Sequence, residues 1–166
     1  MRLSKMRSNA EYYRIIDADY AFIGLKTTMV SVAKSAIDSL RRDGLRVGAV
    51  LLDEPSPLSI ELANLLAQVL ALGVVESRTS KDQIAPEIMS LLWKASARPE
   101  WYCPGRIPRV YSAVMDAEEV TPREEHLIGL AKAMQTYEPE QVLFTTDGSA
   151  KPVGRISRAR AFAEVA

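Results

Sequence analysis

The stretch Tyr20–Leu52, YAFIGLKTTMVSVAKSAIDSLRRDGLRVGAVLL, decides the fold of this protein. It opens with a continuous apolar run, Tyr20–Leu25, and closes with a second one, Leu45–Leu52, and each run is typical of a strand buried on both faces. Between the runs, apolar residues recur at the spacing of one helix face, and Gly44 marks the end of that helix. A helix between two apolar strands predicts a parallel β-α-β unit.

The rest of the chain continues the alternation of strands and helices. We predict a helix after Pro57 with Ser56 as its cap, a strand at Val69–Val75, a helix at 83–96, a strand at Arg109–Val114, a helix opened by a capping box at Thr121–Glu124, and an edge strand at Gln141–Thr145. This order predicts an α/β fold, a three-layer sandwich with a mostly parallel twisted sheet and helices on both faces.

The domain boundaries follow from where this alternation begins and ends. Residues 1–17 are predicted to be an irregular lead-in, 18–145 a single α/β domain, and 146–166 a C-terminal tail with four basic residues. A chain of 166 residues is close to the size of one ordinary domain and can bury a core without disulfides or metal.

Composition limits the possible classes of function. Lys plus Arg and Asp plus Glu number 21 each, so the net charge gives no argument for nucleic acid. No run reaches about 20 apolar residues, the length of a membrane span. The single cysteine, Cys103, excludes an internal disulfide or thiolate cluster and fits a reducing cytoplasm. We therefore expect a cytoplasmic protein without nucleic-acid or membrane partners.

Polar residues at the carboxyl ends of the predicted parallel strands are the candidate ligand site. Thr27 and Thr28 follow the first strand, Glu54 follows the second and Glu76 ends the third. Ligands bind at this edge of open α/β sheets, and a helix N-terminus there attracts anions. The competing interpretation is that Thr27 or Thr28 only caps the helix and that the carboxylates are solvated loop residues.

Four further residues are candidates for chemistry or for contacts with a partner. His126, the only histidine, has no nucleophile motif beside it, so we expect an exposed or partly packed helix residue rather than a general base. Cys103 is expected to be a packed small residue rather than a reactive thiol. The adjacent Trp101 and Tyr102 are a possible interface, because such residues are common anchors, or they cover the edge of the core. Neither nucleotide-binding glycine motif is present, and we predict no catalytic residue and no metal ligand.

The segment AKSAIDSLRRDGLRVG, residues 33–48, resembles the transketolase C-terminal-like domain of the pyruvate/2-oxoacid:ferredoxin oxidoreductase alpha subunit. In that family a helix close to AKEAVDELREEG precedes KVGLL and an RPFP turn. The resemblance covers roughly residues 17–136, with Pro55–Pro57 at the turn and Val120–Pro122 at the family's DVTP helix start. It implies the three-layer α/β fold predicted above.

The sequence departs from the family where contacts with a cofactor or a neighbouring subunit are expected. Thr27 and Thr28 stand near the family's Gly-Ser turn, Glu54 replaces the arginine before the Pro-x-Pro turn, and 116–119 differ from Gly-Gly-Arg-Asp. The family binds thiamine diphosphate and iron–sulfur clusters on other domains. The resemblance therefore implies that this chain alone binds none of these cofactors, which are expected only in partner subunits.

Two functions remain open from the sequence. The first is a non-catalytic structural or assembly subunit, or detached domain, of a thiamine-diphosphate-dependent 2-oxoacid:ferredoxin oxidoreductase, with other subunits or a second copy as partners. The second is a free-standing small-molecule-binding or regulatory α/β domain with its pocket at the strand ends. An independent enzyme that uses Cys103 or His126 ranks behind both, since fold alone does not define function.

Overall fold

The computed structural model describes residues 10–54, 58–76, 83–98, 107–115, 122–136, 141–145 and 147–153. These residues form one seven-stranded sheet in the order β1-β3-β2-β4-β5-β6-β7. The strands are β1 (Ala10–Tyr13), β2 (Tyr20–Leu25), β3 (Val47–Leu52), β4 (Ala71–Glu76), β5 (Arg109–Met115), β6 (Gln141–Phe144) and β7 (Ala150–Val153). The five central strands are parallel, and β1 and β7 pair antiparallel at the two edges.

Four helices connect the parallel strands and cover both faces of the sheet. They are α1 (Lys26–Arg42), α2 (Ile60–Leu66), α3 (Ile84–Ser96) and α4 (Glu124–Thr136). One apolar core lies between the sheet and the pair α1 and α4, and a second lies between the sheet and the pair α2 and α3. Neighbouring strand residues alternate between the two cores, as with Phe22 and Ile23. The predicted α/β sandwich with helices on both faces is confirmed.

The sheet extends beyond both predicted domain boundaries. β1 lies in the segment predicted to be an irregular lead-in, and β7 lies in the predicted C-terminal tail. Because β7 pairs with β6, the predicted edge strand at Gln141–Thr145 is an interior strand. Four-residue strands carry too little periodic signal to be recognised before their pairing partner is known.

The end of α1 follows the predicted glycine signal. Gly44 has φ of 92°, the left-handed region that favours glycine. The N–H of Gly44 donates to the carbonyl of Arg41 at 3.0 Å, and the N–H of Leu45 donates to that of Leu40 at 3.0 Å. This pair of bonds is the Schellman arrangement, which satisfies the last carbonyls of the helix.

The helix starts differ from the sequence predictions. The cap of α2 is Ser59, whose hydroxyl accepts the N–H of Leu62 at 3.4 Å. Ser56 and Pro57, the predicted start of this helix, and Thr121 of the predicted capping box lie outside the described residues. Thr27 and Thr28 do not cap α1, because the helix already begins at Lys26 and the N-cap position is Leu25.

The loop after β1 passes close over the start of β3. A Cβ on Gly48 would stand 2.6 Å from the carbonyl oxygen of Arg14 and 2.8 Å from the Cα of Ile15. Arg14 itself has φ of 49°, which directs the chain around this corner. Glycine at position 48 is therefore what lets the loop approach the sheet.

Candidate functional site

The carboxyl edge of the parallel strands contains a topological switch point between β2 and β4. The pairing of these strands ends at Ile23 and Val74, although β2 continues to Leu25 and β4 to Glu76. Beyond that point β2 pairs only with β3, and β4 only with β5. Strand ends that separate in this way form the crevice in which open α/β sheets bind ligands.

Thr27 and Thr28 lie in the first turn of α1 at this edge. Thr27 is exposed and Thr28 is half-buried. No side chain caps the helix, and its first turn contains no acidic residue. Lys26, the first residue of the helix, adds a positive charge 3.5 Å from the carboxylate of Glu11. The free N–H groups of a helix start and a nearby cation both favour an anion, and free N–H groups are present at most helix starts.

Glu76 is buried at the end of β4 and is held by two donors. Its Oε1 accepts the backbone N–H of Ala85 at 2.5 Å, and its Oε2 accepts the hydroxyl of Ser112 at 3.3 Å. The carboxylate thus satisfies an N–H in the first turn of α3, where a negative charge is favoured by the helix dipole. Through these two hydrogen bonds, Glu76 connects α3 to the sheet.

Glu54 follows β3 and is exposed together with Asp53. The topology brings Thr27, Thr28, Glu54 and Glu76 to one edge of the sheet, as the sequence predicted. Within the described part of the chain, no hydrogen bond or ion pair joins these four residues. Glu76 faces the α2–α3 core whereas α1 covers the opposite face, so the four side chains do not form one cluster. Their role in binding a ligand stays a prediction.

His126 is fully buried, which contradicts the expectation of an exposed or partly packed residue. Its Nδ1 accepts the backbone N–H of Arg123 at 3.0 Å, and its Nε2 lies 2.6 Å from the carbonyl oxygen of Thr145. Since Nδ1 is an acceptor, the neutral ring carries its proton on Nε2 and donates it to Thr145. The ring also stacks on Phe144 at 4.8 Å. His126 therefore joins the start of α4 to β6, a role that its lone position in the sequence gave no signal for.

A polar turn between β6 and β7 closes around Asp147. The Oδ1 of Asp147 accepts the hydroxyl of Ser149 at 2.5 Å, the backbone N–H of Ser149 at 2.9 Å, and the hydroxyl of Thr145. These donors hold the pKa of Asp147 well below its usual range, with the Ser149 hydroxyl as the main cause. The Thr-x-Asp-Gly-Ser pattern is typical of such a side-chain-stabilised turn and was the available signal.

Among the described residues, the most extensive polar network connects β1 and its loop to α1, and we call it the β1–α1 clamp. It consists of Glu11, Tyr13, Arg14 and Asp17 on the first side and Lys26, Lys34, Asp38 and Arg41 on the helix side.

At the β1 end of the clamp, Lys34 binds Glu11 at 2.7 Å and lies 5.6 Å from the centre of the Tyr13 ring. The hydrogen bond from Lys34 lowers the pKa of Glu11, and Glu11 in turn raises the pKa of Lys34. The Tyr13 hydroxyl donates to Asp38 at 2.7 Å, which lowers the pKa of Asp38 and raises that of Tyr13. These contacts fix the edge strand against α1.

At the loop end of the clamp, Arg41 makes four hydrogen bonds. Its guanidinium donates to both carboxylate oxygens of Asp17, at 2.8 and 3.1 Å, and to the carbonyls of Val47 and Arg14, at 2.8 and 2.7 Å. The bond from Arg41 lowers the pKa of Asp17. A planar five-donor guanidinium suits this arrangement, which a lysine cannot reproduce.

Several predicted features lie outside the described residues. These are Cys103 and the possible interface pair Trp101 and Tyr102. Among the residues that are described, no group of three or more His, Cys, Asp or Glu side chains is placed to hold a metal ion. No helix in the described part of the chain is both long enough and apolar enough to cross a membrane.

Comparison with known proteins gives a partial relative. No family model matches the chain. The alpha subunit of NADH-dependent phenylglyoxylate dehydrogenase from Aromatoleum evansii is 37% identical to this chain over 67 residues. The match covers 40% of this chain, and the chain spans only 16% of that relative. The chain is thus a distant, partial relative of a 2-oxo acid oxidoreductase alpha subunit.

Proposed function

We propose that this chain is a non-catalytic structural or assembly subunit, or a detached domain, of a thiamine-diphosphate-dependent 2-oxo acid oxidoreductase. The partial relative supports this proposal, since phenylglyoxylate is an aryl 2-oxo acid and the matched protein is one subunit of its dehydrogenase. The three-layer fold agrees with the domain that the sequence resembles. The relative is NADH-dependent, whereas the family that the sequence resembles uses ferredoxin, so the proposal includes both electron carriers.

The observation that carries the proposal is where the residues of the resemblance lie in the fold. Lys34, Asp38 and Arg41 belong to the β1–α1 clamp, Gly44 ends α1, and Gly48 admits the loop after β1. All five maintain the fold: the three charged side chains form internal contacts, and the two glycines allow the backbone to turn or to approach closely. What the chain shares with the family is therefore architecture, which suits a scaffold more than an enzyme.

The carboxyl edge does not suit thiamine diphosphate. Asp53 and Glu54 expose two carboxylates beside the strand ends, where a diphosphate would be repelled. Glu76 is already bonded to Ala85 and Ser112. We therefore place thiamine diphosphate and iron–sulfur clusters on partner subunits in this proposal and assign no step of the reaction to this chain.

The test is a pull-down of the tagged full chain from extract of its native cells, with quantitative mass spectrometry. We expect oxidoreductase subunits at near-equal amounts with the bait. A W101A/Y102A variant is expected to recover less of them, and an E54Q variant the same amount as the wild type. A wild-type bait that emerges alone, folded and monodisperse, contradicts the proposal.

The second candidate, a free-standing small-molecule-binding domain, is favoured by the separation of β2 and β4 at the switch point. It predicts that phenylglyoxylate raises the thermal midpoint of the isolated chain, and that T28V removes the rise. No rise with phenylglyoxylate rejects 2-oxo acids as ligands of this site.

A further inference from the structure

Helix α3 carries an exposed apolar stripe on the face opposite its core contacts. Trp93 is 63% exposed and Met89 is 48% exposed, and Pro86 and Ala97 continue the stripe as exposed residues. These positions are three or four residues apart and share one side of the helix. An exposed tryptophan beside an exposed methionine is unusual on a monomer surface and is typical of an interaction site.

Two residues of opposite charge flank this stripe, one near each end of the helix. Glu87 lies near its N-terminal end and Lys94 near its C-terminal end. They are seven residues, or about two helical turns, apart, so both lie on the same flank of the stripe. Both are exposed, and within the described part of the chain neither forms an ion pair.

We propose that α3 is a homodimer interface, in which the stripe packs antiparallel against the same stripe of a second copy. A two-fold axis between the helices keeps each flank on its own side and reverses the helix direction. It therefore brings Glu87 opposite Lys94 of the second copy, and Lys94 opposite Glu87, while Trp93 covers Met89 of the other chain. A parallel two-fold arrangement would instead put the charged flanks of the two copies on opposite sides of the interface, where Glu87 and Lys94 cannot pair. This inference does not depend on the proposed function.

The stripe is held rigidly enough to act as an interface. The core side of α3 is anchored by Ile88 and Leu92, which are fully buried, and its first turn is fixed by the bond from Ala85 to Glu76. A preformed face loses little conformational freedom when it associates. Tryptophan at the centre of a small patch is the residue type that most often dominates binding.

The first measurement is the solution mass of the full chain by light scattering and sedimentation across a concentration series. We expect a species of twice the 18.4 kDa chain mass at high concentration, with tryptophan emission shifting to shorter wavelength as it forms. W93A should weaken the dimer by about thirtyfold or more. I16K, which changes an exposed apolar residue far from α3 in the chain, serves as the control and should not change the dissociation constant.

Charge reversal tests the antiparallel geometry. E87K and K94E should each weaken self-association by about tenfold or more, because like charges then face each other. The E87K/K94E double variant should recover it, and an equal mixture of the two single variants should form heterodimers. The double variant places charges against the dipole of α3, so recovery does not arise from a more stable helix.

A chain that stays monomeric at all concentrations overturns the proposal, and so does a dimer that is insensitive to W93A and to both charge reversals. A monomer that uses Trp93 to bind a different subunit overturns it as well. Circular dichroism of each variant confirms that the fold is unchanged before its mass is interpreted.

Discussion

Arg41 of α1 binds both carboxylate oxygens of Asp17, at 2.8 and 3.1 Å, while its own side chain is only 12% exposed. The same guanidinium holds the carbonyls of Arg14 and Val47. One side chain thus joins the loop after β1, the helix and the start of β3. The contacts span 24 to 27 residues on the loop side, so they form only when the loop after β1 packs against α1.

Arg41 is expected to contribute measurably to stability. R41M keeps the aliphatic stem but removes the bonds to two backbone carbonyls, and we expect a loss of about 1–3 kcal/mol in the free energy of unfolding. The neighbouring exposed R42M is the control and should remain within about 0.5 kcal/mol of the wild type. Urea denaturation of both variants gives the comparison. Equal losses would contradict a special role for Arg41.

Gly48 should tolerate a methyl group less well than Gly73 does, although both lie inside strands. In G48A the new Cβ meets backbone atoms of Arg14 and Ile15, which cannot move without displacing β1. In G73A it meets the ends of Leu130 and Met134, which can rotate away. We expect about 1–3 kcal/mol of destabilisation for G48A and a smaller loss for G73A, measured by chemical denaturation. The reverse order would show that the loop is not fixed against β3.

His126 should exist as the neutral tautomer with its proton on Nε2. Two-dimensional ¹⁵N NMR of the ring distinguishes this form from the Nδ1–H form, which the contact with the N–H of Arg123 disfavours. H126F keeps the stacking on Phe144 but removes one of the two donors to the half-buried carbonyl of Thr145, which keeps only the N–H of Gly148, and it removes the ring acceptor of the Arg123 N–H. We expect H126F to lose about 1–3 kcal/mol of stability. An Nδ1–H ring, or a fully stable H126F, contradicts the described role.

Asp147 should make the stability of the protein depend on pH in the acid range. Its folded pKa is depressed, so its contribution is present above the ordinary Asp pKa of about 3.9 and is lost as the pH falls toward the folded value. D147N should therefore be less stable than the wild type at pH 7, and the difference should shrink below about pH 4. D43N, whose side chain has no partner among the described residues, is the control. A difference between D147N and wild type that does not change with pH would contradict this prediction.

The sequence by itself determined the central architecture. Local signals identify the apolar runs at Tyr20–Leu25 and Leu45–Leu52 and the helix between them. Burial on both faces of a strand gives a continuous apolar run, and burial on one face of a helix gives apolar residues at helical spacing, and both patterns are visible in the sequence. The role of Gly44 was likewise identifiable, because the left-handed position that ends a helix favours glycine, and that signal lies in a single residue. The placement of four polar residues at one sheet edge followed from the parallel topology alone.

Only the tertiary structure decided the rest. β1 is a strand because β3 and the clamp residues of α1 hold it, and the buried ring of His126 is satisfied because Thr145, just after β6, places a carbonyl at its Nε2. Glu76 is turned toward α3 by an N–H nine residues further along the chain. Each of these features depends on a partner distant in sequence, and its free energy comes from the contact and from the burial around it. A local pattern of residues does not indicate which distant residue will be its partner, so these roles can be identified only in the folded chain.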